Sequence, residues 1–247
     1  MSRRVAGVVA AAVCLGGAVS ACADGPAEDR PVVRIAEAAQ PSPAIPLGRF
    51  LPTAPELAGV LGTGPTGLIG DPVEGDADML LRSVAEAQAS PAECVSAAYR
   101  LQSVVYQASP VRSVASVTWA GGGFDGPPVS VFSAVVQMAG SAAAQEFFAS
   151  VSEQWRRCNG ETVAVQIPGN GAGEMSRVTD VAFDERVVSA SVLHASGGSG
   201  SPTGLRAIGL AGDCIVEIEL TDPRPAGSPR GAVAVAGVIL DKIAAVR

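Results

Sequence analysis

The stretch SAAAQEFFASVSEQWRRCNG, residues 141–160, decides how the rest of the chain is read. Ala144, Phe147, Phe148, Val151 and Trp155 recur at helical spacing, so Ser141 caps an amphipathic helix with one apolar stripe. That stripe needs a surface to cover. The preceding run VSVFSAVVQM, 129–138, alternates with a period of two and places Phe132, Ala134, Val136 and Met138 on one face, ready to receive the helix. The helix closes on Cys158, one turn after Trp155. What that thiol does separates an enzyme from a binding module.

Working outward, SVASVTW at 113–119 pairs with 129–138 as a hairpin whose tip is the Gly/Pro-rich AGGGFDGPP. Further period-two runs fall at 161–167, 176–183, 186–194, 204–211 and 214–220. The chain ends on a helix from about Pro229 to Val246, with Val235, Val238, Ile239, Ile243 and Val246 facing inward. Before the first hairpin, Thr53 caps a short helix in TAPELAGVLG with Leu57, Val60 and Leu61 inward. PAECVSAAY at 91–99 starts another short helix or turn at Pro91, and residues 62–90 carry no decisive period. Strands joined by short turns, with helices set apart in sequence, predict an α+β fold: a twisted antiparallel sheet with flanking helices.

The N-terminus sets the compartment. Arg3 and Arg4 precede an apolar run from Val5 to Val19, the layout of an export signal and too short for a stable membrane span. The run closes on VSAC, residues 19–22, which resembles a bacterial lipobox. That resemblance implies a signal peptide over 1–21 and lipidation of Cys22, anchoring the chain to the outer face of the cytoplasmic membrane. The other N-terminal cysteine, Cys14, follows the larger Val13 and lacks a polar stretch after it. More than one acyl chain is what durable attachment requires. Residues 22–48 then read as a lipidated terminus and Pro/Ala-rich linker, which as a coil holds the domain about 30 Å from the bilayer. The globular domain is expected over 49–247.

Cleavage leaves 226 of the 247 residues and moves the formal charge from −7 to −9, since both signal arginines are lost. An acidic chain with Lys242 as its only lysine repels phosphate backbones and anionic headgroups, so nucleic acid is not an expected partner and the lipid must do the anchoring.

Catalytic chemistry finds few candidates. A cysteine hydrolase needs a histidine base, and the only histidine, His194, ends VVSASVLH on a face shared with Val188, Ala190 and Val192, where it reads as a core or strand-end residue. No Cys/His/carboxylate cluster has metal-ligand spacing, and no cofactor motif appears. GGGFDG lacks the Lys and Ser/Thr of a phosphate loop, and GGSGSPTG at 197–204 reads as a flexible hairpin tip. Asp180, Asp184 and Glu185 sit near a predicted turn as a solvated face. Cys94, Cys158 and Cys214 remain after Cys22, and they permit three pairings among which spacing does not choose.

The order TAPELAGVLG, PAEC, a Tyr106-containing segment leading into strands, the helix with Trp155 and Cys158, and a strand pair before a C-terminal helix is similar to the PknH-like extracellular sensor domain. That domain occurs on mycobacterial receptor kinases and on free-standing lipoproteins. The resemblance covers roughly residues 50–247. It implies a twisted antiparallel sheet with flanking helices and a cleft proposed to bind an unidentified ligand, in a family not known as enzymes. It favours a disulfide between Cys94 and Cys158, which in an oxidising compartment makes Cys158 a staple rather than a nucleophile. Where family members carry a second cysteine pair near the last strand-turn-strand, this chain has Cys214 alone. Cys214 shares a strand face with Val216, Ile218 and Leu220, opposite Ile215, Glu217, Glu219 and Thr221, so it reads as a buried free thiol.

The functional expectation is a membrane-anchored, extracytoplasmic, non-catalytic module that binds a small molecule or envelope ligand in a cleft between sheet and helices. A scaffold lipoprotein docking an envelope protein is the alternative, and a cell-wall or lipid hydrolase is a third reading.

Overall fold

The computed structural model describes residues 46–62, 67–68, 71–85, 88–121, 129–166, 173–196, 199–200, 203–222 and 230–246. The signal peptide, Cys22, most of the linker, the GGGFDG tip beyond Gly121 and part of the GGSGSPTG tip lie outside the described residues. In chain order the helices are α1 (Ala54–Leu61), α2 (Val95–Ala98), α3 (Ser103–Tyr106), α4 (Ser141–Cys158) and α5 (Gly231–Ala244). The strands are β1 (Gly67–Leu68), β2 (Val73–Gly75), β3 (Ala89–Ser90), β4 (Val111–Gly121), β5 (Val129–Met138), β6 (Thr162–Val165), β7 (Glu174–Asp184), β8 (Val187–Ser196), β9 (Ser199–Gly200), β10 (Gly204–Ala211) and β11 (Cys214–Thr221).

All these strands join one antiparallel sheet in the order β1, β4, β5, β11, β10, β8, β7, β6, β3, with β2 also on β4 and β9 on β8. The central strands are hydrogen-bonded on both edges and covered on both faces. One face packs α4, whose Ala144, Phe147, Val151 and Trp155 meet Phe132, Ala134, Val136 and Met138 of β5 in a core that also holds Val188, Ile208 and Ile215. The other face packs α5, whose Val235, Ala236, Ile239, Leu240 and Ile243 meet Ala207, Cys214, Val216, Ile218 and Leu220. Burying each of these large side chains contributes about 1.5–3 kcal/mol. The α5 layer approaches β10 closely. A Cβ on Gly209 would lie 2.9 Å from a Leu240 methyl, so a side chain at 209 would force the buried Leu240 side chain to move.

Local signals account for the element ends. The Thr53 amide donates to the Glu56 carboxylate at 2.7 Å to start α1, and the left-handed Gly62, φ 75°, stops it. The single lysine ties the two helices of this layer together: Lys242 Nζ donates to the Leu51 carbonyl at 2.9 Å and to Glu56 at 2.7 Å. Phe50 is buried in the α5-side core as expected of the domain, and Leu47 is buried beside it, so packing already begins within the last residues of the stretch read as linker.

Three expectations change. Gly140 is the N-cap of α4, and Ser141 is the first helical residue and makes no capping bond. Val246 was expected to face inward and is exposed, because α5 ends at Ala244 and the final residues leave the sheet. Val238 is only half-buried, while Leu240, two residues on and so on the opposite side of the helix, is fully enclosed. Residues 67–90, which carry no period, form two- and three-residue strands and a 3-10 turn at Ala77–Met79, elements too short for periodicity to reveal.

Candidate functional site

Cys94 and Cys158 are bonded, with Cα atoms 5.6 Å apart, so the C-terminus of α4 is tied to the turn that opens α2. Trp155 is fully buried beside the bridge, and its indole N–H donates to Ser96 Oγ at 3.2 Å. Cys214 is free and buried, and burial pushes its thiol pKa up to about 12, so it is not a thiolate at neutral pH.

Immediately after the stapled α2, residues 99–106 cross the α4 face of the sheet and are held there by charge. β10 and β11 place Arg206 opposite Glu219, with Glu217 opposite Ile208. Arg206 and Glu217 are both essentially inaccessible to water. The Arg206 guanidinium donates through Nη2 to Glu217 at 3.0 Å, to the Ser96 carbonyl at 3.1 Å and to the Tyr99 carbonyl at 3.2 Å. Glu217 in turn accepts from the Leu101 amide at 3.0 Å and from the Tyr106 hydroxyl at 2.5 Å. Leu101 sits at φ 50°, a left-handed conformation costing about 1–2 kcal/mol for a leucine, and its bond to Glu217 helps hold it there. Burial, then the nearby Glu217 charge, drives the Tyr106 pKa well above its ordinary range, so Tyr106 remains a donor. A second layer overlies the first: Arg100 pairs with Glu219 and stacks over Phe132 at 4.4 Å, and Arg206 Nη1 lies 3.7 Å from Glu219.

The 99–106 segment separates two cavities. On one side is a cleft of about 630 Å³ between α3, residues 77–85 and the start of β4. Leu80, Val84, Val104, Val111 and Tyr106 line it, with Asp78 and Arg82 also contributing. On the other is a pocket of about 350 Å³ with polar walls: Tyr99, Arg100, Glu174, His194 and Glu219. Occupants of this size class are small molecules rather than polymers.

His194 is a half-buried strand-end residue on the face shared with Val188, Ala190 and Val192. Its Nδ1 is 2.8 Å from Ser176 Oγ and 3.6 Å from the Glu174 carboxylate, and Ser176 Oγ donates to Tyr99 OH at 2.9 Å. Burial lowers the His194 pKa below its usual value, so the ring is neutral at pH 7. The serine, histidine and glutamate are not wired for acyl transfer. Ser176 is fully buried, and serine and carboxylate share the same ring nitrogen, leaving no path by which the ring could relay a proton from a nucleophile. Asp180, Asp184 and Glu185 are exposed, as expected of a solvated turn. Among the described residues no group of three His, Cys, Asp or Glu side chains could hold a metal ion, and no helix is long and apolar enough to cross a membrane.

The buried ion network was not anticipated from sequence. The signal was present in CIVEIELT, where two glutamates share one face of an otherwise apolar strand, and in GLRAIGLA, where an arginine interrupts another.

An antiparallel sheet enclosed by two helix layers, with a disulfide tying one layer to the turn before the site, defines an α+β domain of the exported kind. The chain belongs to the PknH-like extracellular domain family, whose profile matches residues 42–245. The crystal structure of the extracellular domain of PknH from Mycobacterium tuberculosis shares the fold, with a TM-score of 0.65 at 20% identity over 82% of this chain and 97% of that one. An uncharacterised protein from Mycobacterium smegmatis aligns at a TM-score of 0.38 and 12% identity, over 76% of this chain and 95% of that one. No curated protein matches the sequence.

Proposed function

We propose that this protein is a lipid-anchored extracytoplasmic module that binds a small ligand without transforming it, and that the cleft beside Tyr106 is its binding site. The observation that carries the reading is the position of Tyr106. Almost wholly buried, it forms part of the cleft floor and donates its hydroxyl to the buried Glu217, so the cleft rests on a side chain wired into the centre of the sheet. The cleft is mainly apolar with polar groups among its walls, the composition that suits a small amphiphilic molecule. The wiring of His194 speaks against hydrolysis. The large apolar side chains exposed among the described residues, Val73, Leu81, Met175, Phe183, Leu193 and Val246, come from several separate elements, which offers less to a scaffold reading than the cleft offers to ligand binding. Cys22 supplies the anchor, and a Cys22→Ser chain is expected to lose fatty-acid labelling and detergent partitioning.

Native mass spectrometry of protein taken from its own membrane tests the site. The expected result is a discrete adduct that disappears when Val104→Trp fills the cleft and persists in Cys214→Ala. An adduct indifferent to Val104→Trp, or none in the wild type, would refute it.

A further inference from the structure

The smaller polar pocket carries a second, independent site. We propose that it binds a free amino acid, with the ligand ammonium on Glu174 and the ligand carboxylate on Arg100.

The charges around the pocket do not cancel. Arg206 is committed to Glu217 and lies beside Glu219, and Arg100 pairs with Glu219. Two arginines thus offset two glutamates. Glu174 is left over, with His194 as its only charged-group neighbour among the described residues, and that ring is neutral at pH 7. The Glu174 side chain is 38% exposed, so its carboxylate is reachable from the pocket for a ligand cation. A metal ion would want more ligands than one carboxylate and one imidazole, and no three-ligand group is present among the described residues. An organic ammonium needs only hydrogen-bond acceptors, and the tilted rings of Tyr99 and His194, 6.0 Å apart, add π faces beside it.

The second half of the ligand follows from Arg100. Its Nη1 is taken by Glu219, while its other terminal nitrogen makes no hydrogen bond to the described protein, and the side chain is 36% exposed. A guanidinium edge open to a cavity is suited to a carboxylate. An acceptor for an ammonium and a donor for a carboxylate lining one pocket of about 350 Å³ fit a zwitterion of amino-acid size.

The pocket also predicts a pH signature. His194 faces Glu174 and Ser176 of β7, Tyr99 and Arg100 of the crossing segment, Glu219 of β11 and Arg206 of β10. Protonating it places a positive charge beside Glu174, where the ligand ammonium would sit. Proton and ligand therefore compete.

Equilibrium dialysis of the full chain in detergent against a pool of L- and D-amino acids, read by mass spectrometry, tests this. One member or a small group should be retained. Its decarboxylated amine should bind more weakly and its deaminated acid not at all. Glu174→Gln should weaken retention by at least about tenfold, the loss of one charge-assisted contact, with unchanged melting. Wild-type affinity should fall about tenfold from about pH 8 to about pH 5, and His194→Gln should flatten that fall. No retained member, an acid that binds as well as the amino acid, or indifference to Glu174→Gln would overturn the proposal. Val104→Trp, which fills the apolar cleft, should leave this binding intact, so the two sites stand or fall separately.

Discussion

The two faces of β11 make the sharpest contrast in the molecule. Cys214, Val216, Ile218 and Leu220 point into the α5 layer, a core built from apolar side chains. Ile215, Glu217 and Glu219 point the other way, where two glutamates, two arginines and a tyrosine replace oil with charge. Eight residues thus build two kinds of interior. The α5 face holds the fold mainly through burial, a non-directional force satisfied by many sequences, with Lys242 pinning its rim to Leu51 and Glu56. The α4 face holds one segment, residues 99–106, in one conformation through directional bonds, and both cavities border that segment. Apolar packing suffices where only stability is needed, and buried charge appears where a backbone must be presented in a fixed shape.

The largest effect that would sharpen this contrast is at Glu217. Glu217→Leu leaves Arg206 buried without its partner and strips the acceptor from Leu101 and Tyr106, so denaturant unfolding should show a loss of about 3–5 kcal/mol. Combining it with Arg206→Met should restore part of that loss. If the double variant is as unstable as the single one, the network contributes through something other than charge compensation.

Next comes the staple. Cys94→Ala with Cys158→Ala releases a loop of 64 positions, and the chain-entropy account puts the cost at about 4 kcal/mol. Non-reducing peptide mapping should recover one peptide joining PAEC to WRRC. A native protein with Cys158 free and rapidly alkylated would break the account, because a thiol beside Arg156 and Arg157 would regain a nucleophilic role.

On the apolar face the effects shrink. Cys214→Ala removes a small group from a well-packed strand and should cost about 1 kcal/mol, and Cys214 should react with alkylating agents only on unfolding. Fast labelling of the folded protein would mean the α5 layer opens. The smallest effect is at His194. Its pKa is depressed in the folded state, so the unfolded chain binds more protons. Its contribution is therefore complete above the ordinary histidine pKa and is lost as pH falls through the lower folded value. Melting temperature should decline slightly below pH 6.5, the ordinary value for the ring, and His194→Gln should reduce that slope.

How much of this was legible in the sequence follows from what periodicity can carry. α4 and β5 were readable because eighteen and ten residues repeat long enough for 3.6 and 2.0 to be told apart. The Cys94–Cys158 pairing came from family resemblance, since three cysteines leave the choice open. The alternation in β11 correctly put Cys214 with Val216 and Ile218, yet gave no reason to expect Glu217 to be inaccessible. A glutamate on the second face of a strand ordinarily faces water. Only the crossing of residues 99–106, whose short helices have no usable period, covers it. The polar pocket was further out of reach, because Glu174, His194 and Glu219 meet only through sheet order and Arg100 joins them from the crossing segment.

Glu217 and Ile218 are adjacent in sequence and opposite in space, and native-state hydrogen exchange of two conservative variants tests the contrast most directly. Glu217→Gln should speed exchange within residues 99–106 far more than in β10 and β11, through a local opening. Ile218→Val should instead lower protection across the sheet and α5 together, by about 1 kcal/mol. If Glu217→Gln lowers protection evenly throughout, or Ile218→Val loosens residues 99–106 selectively, the division of labour between the two faces is wrong.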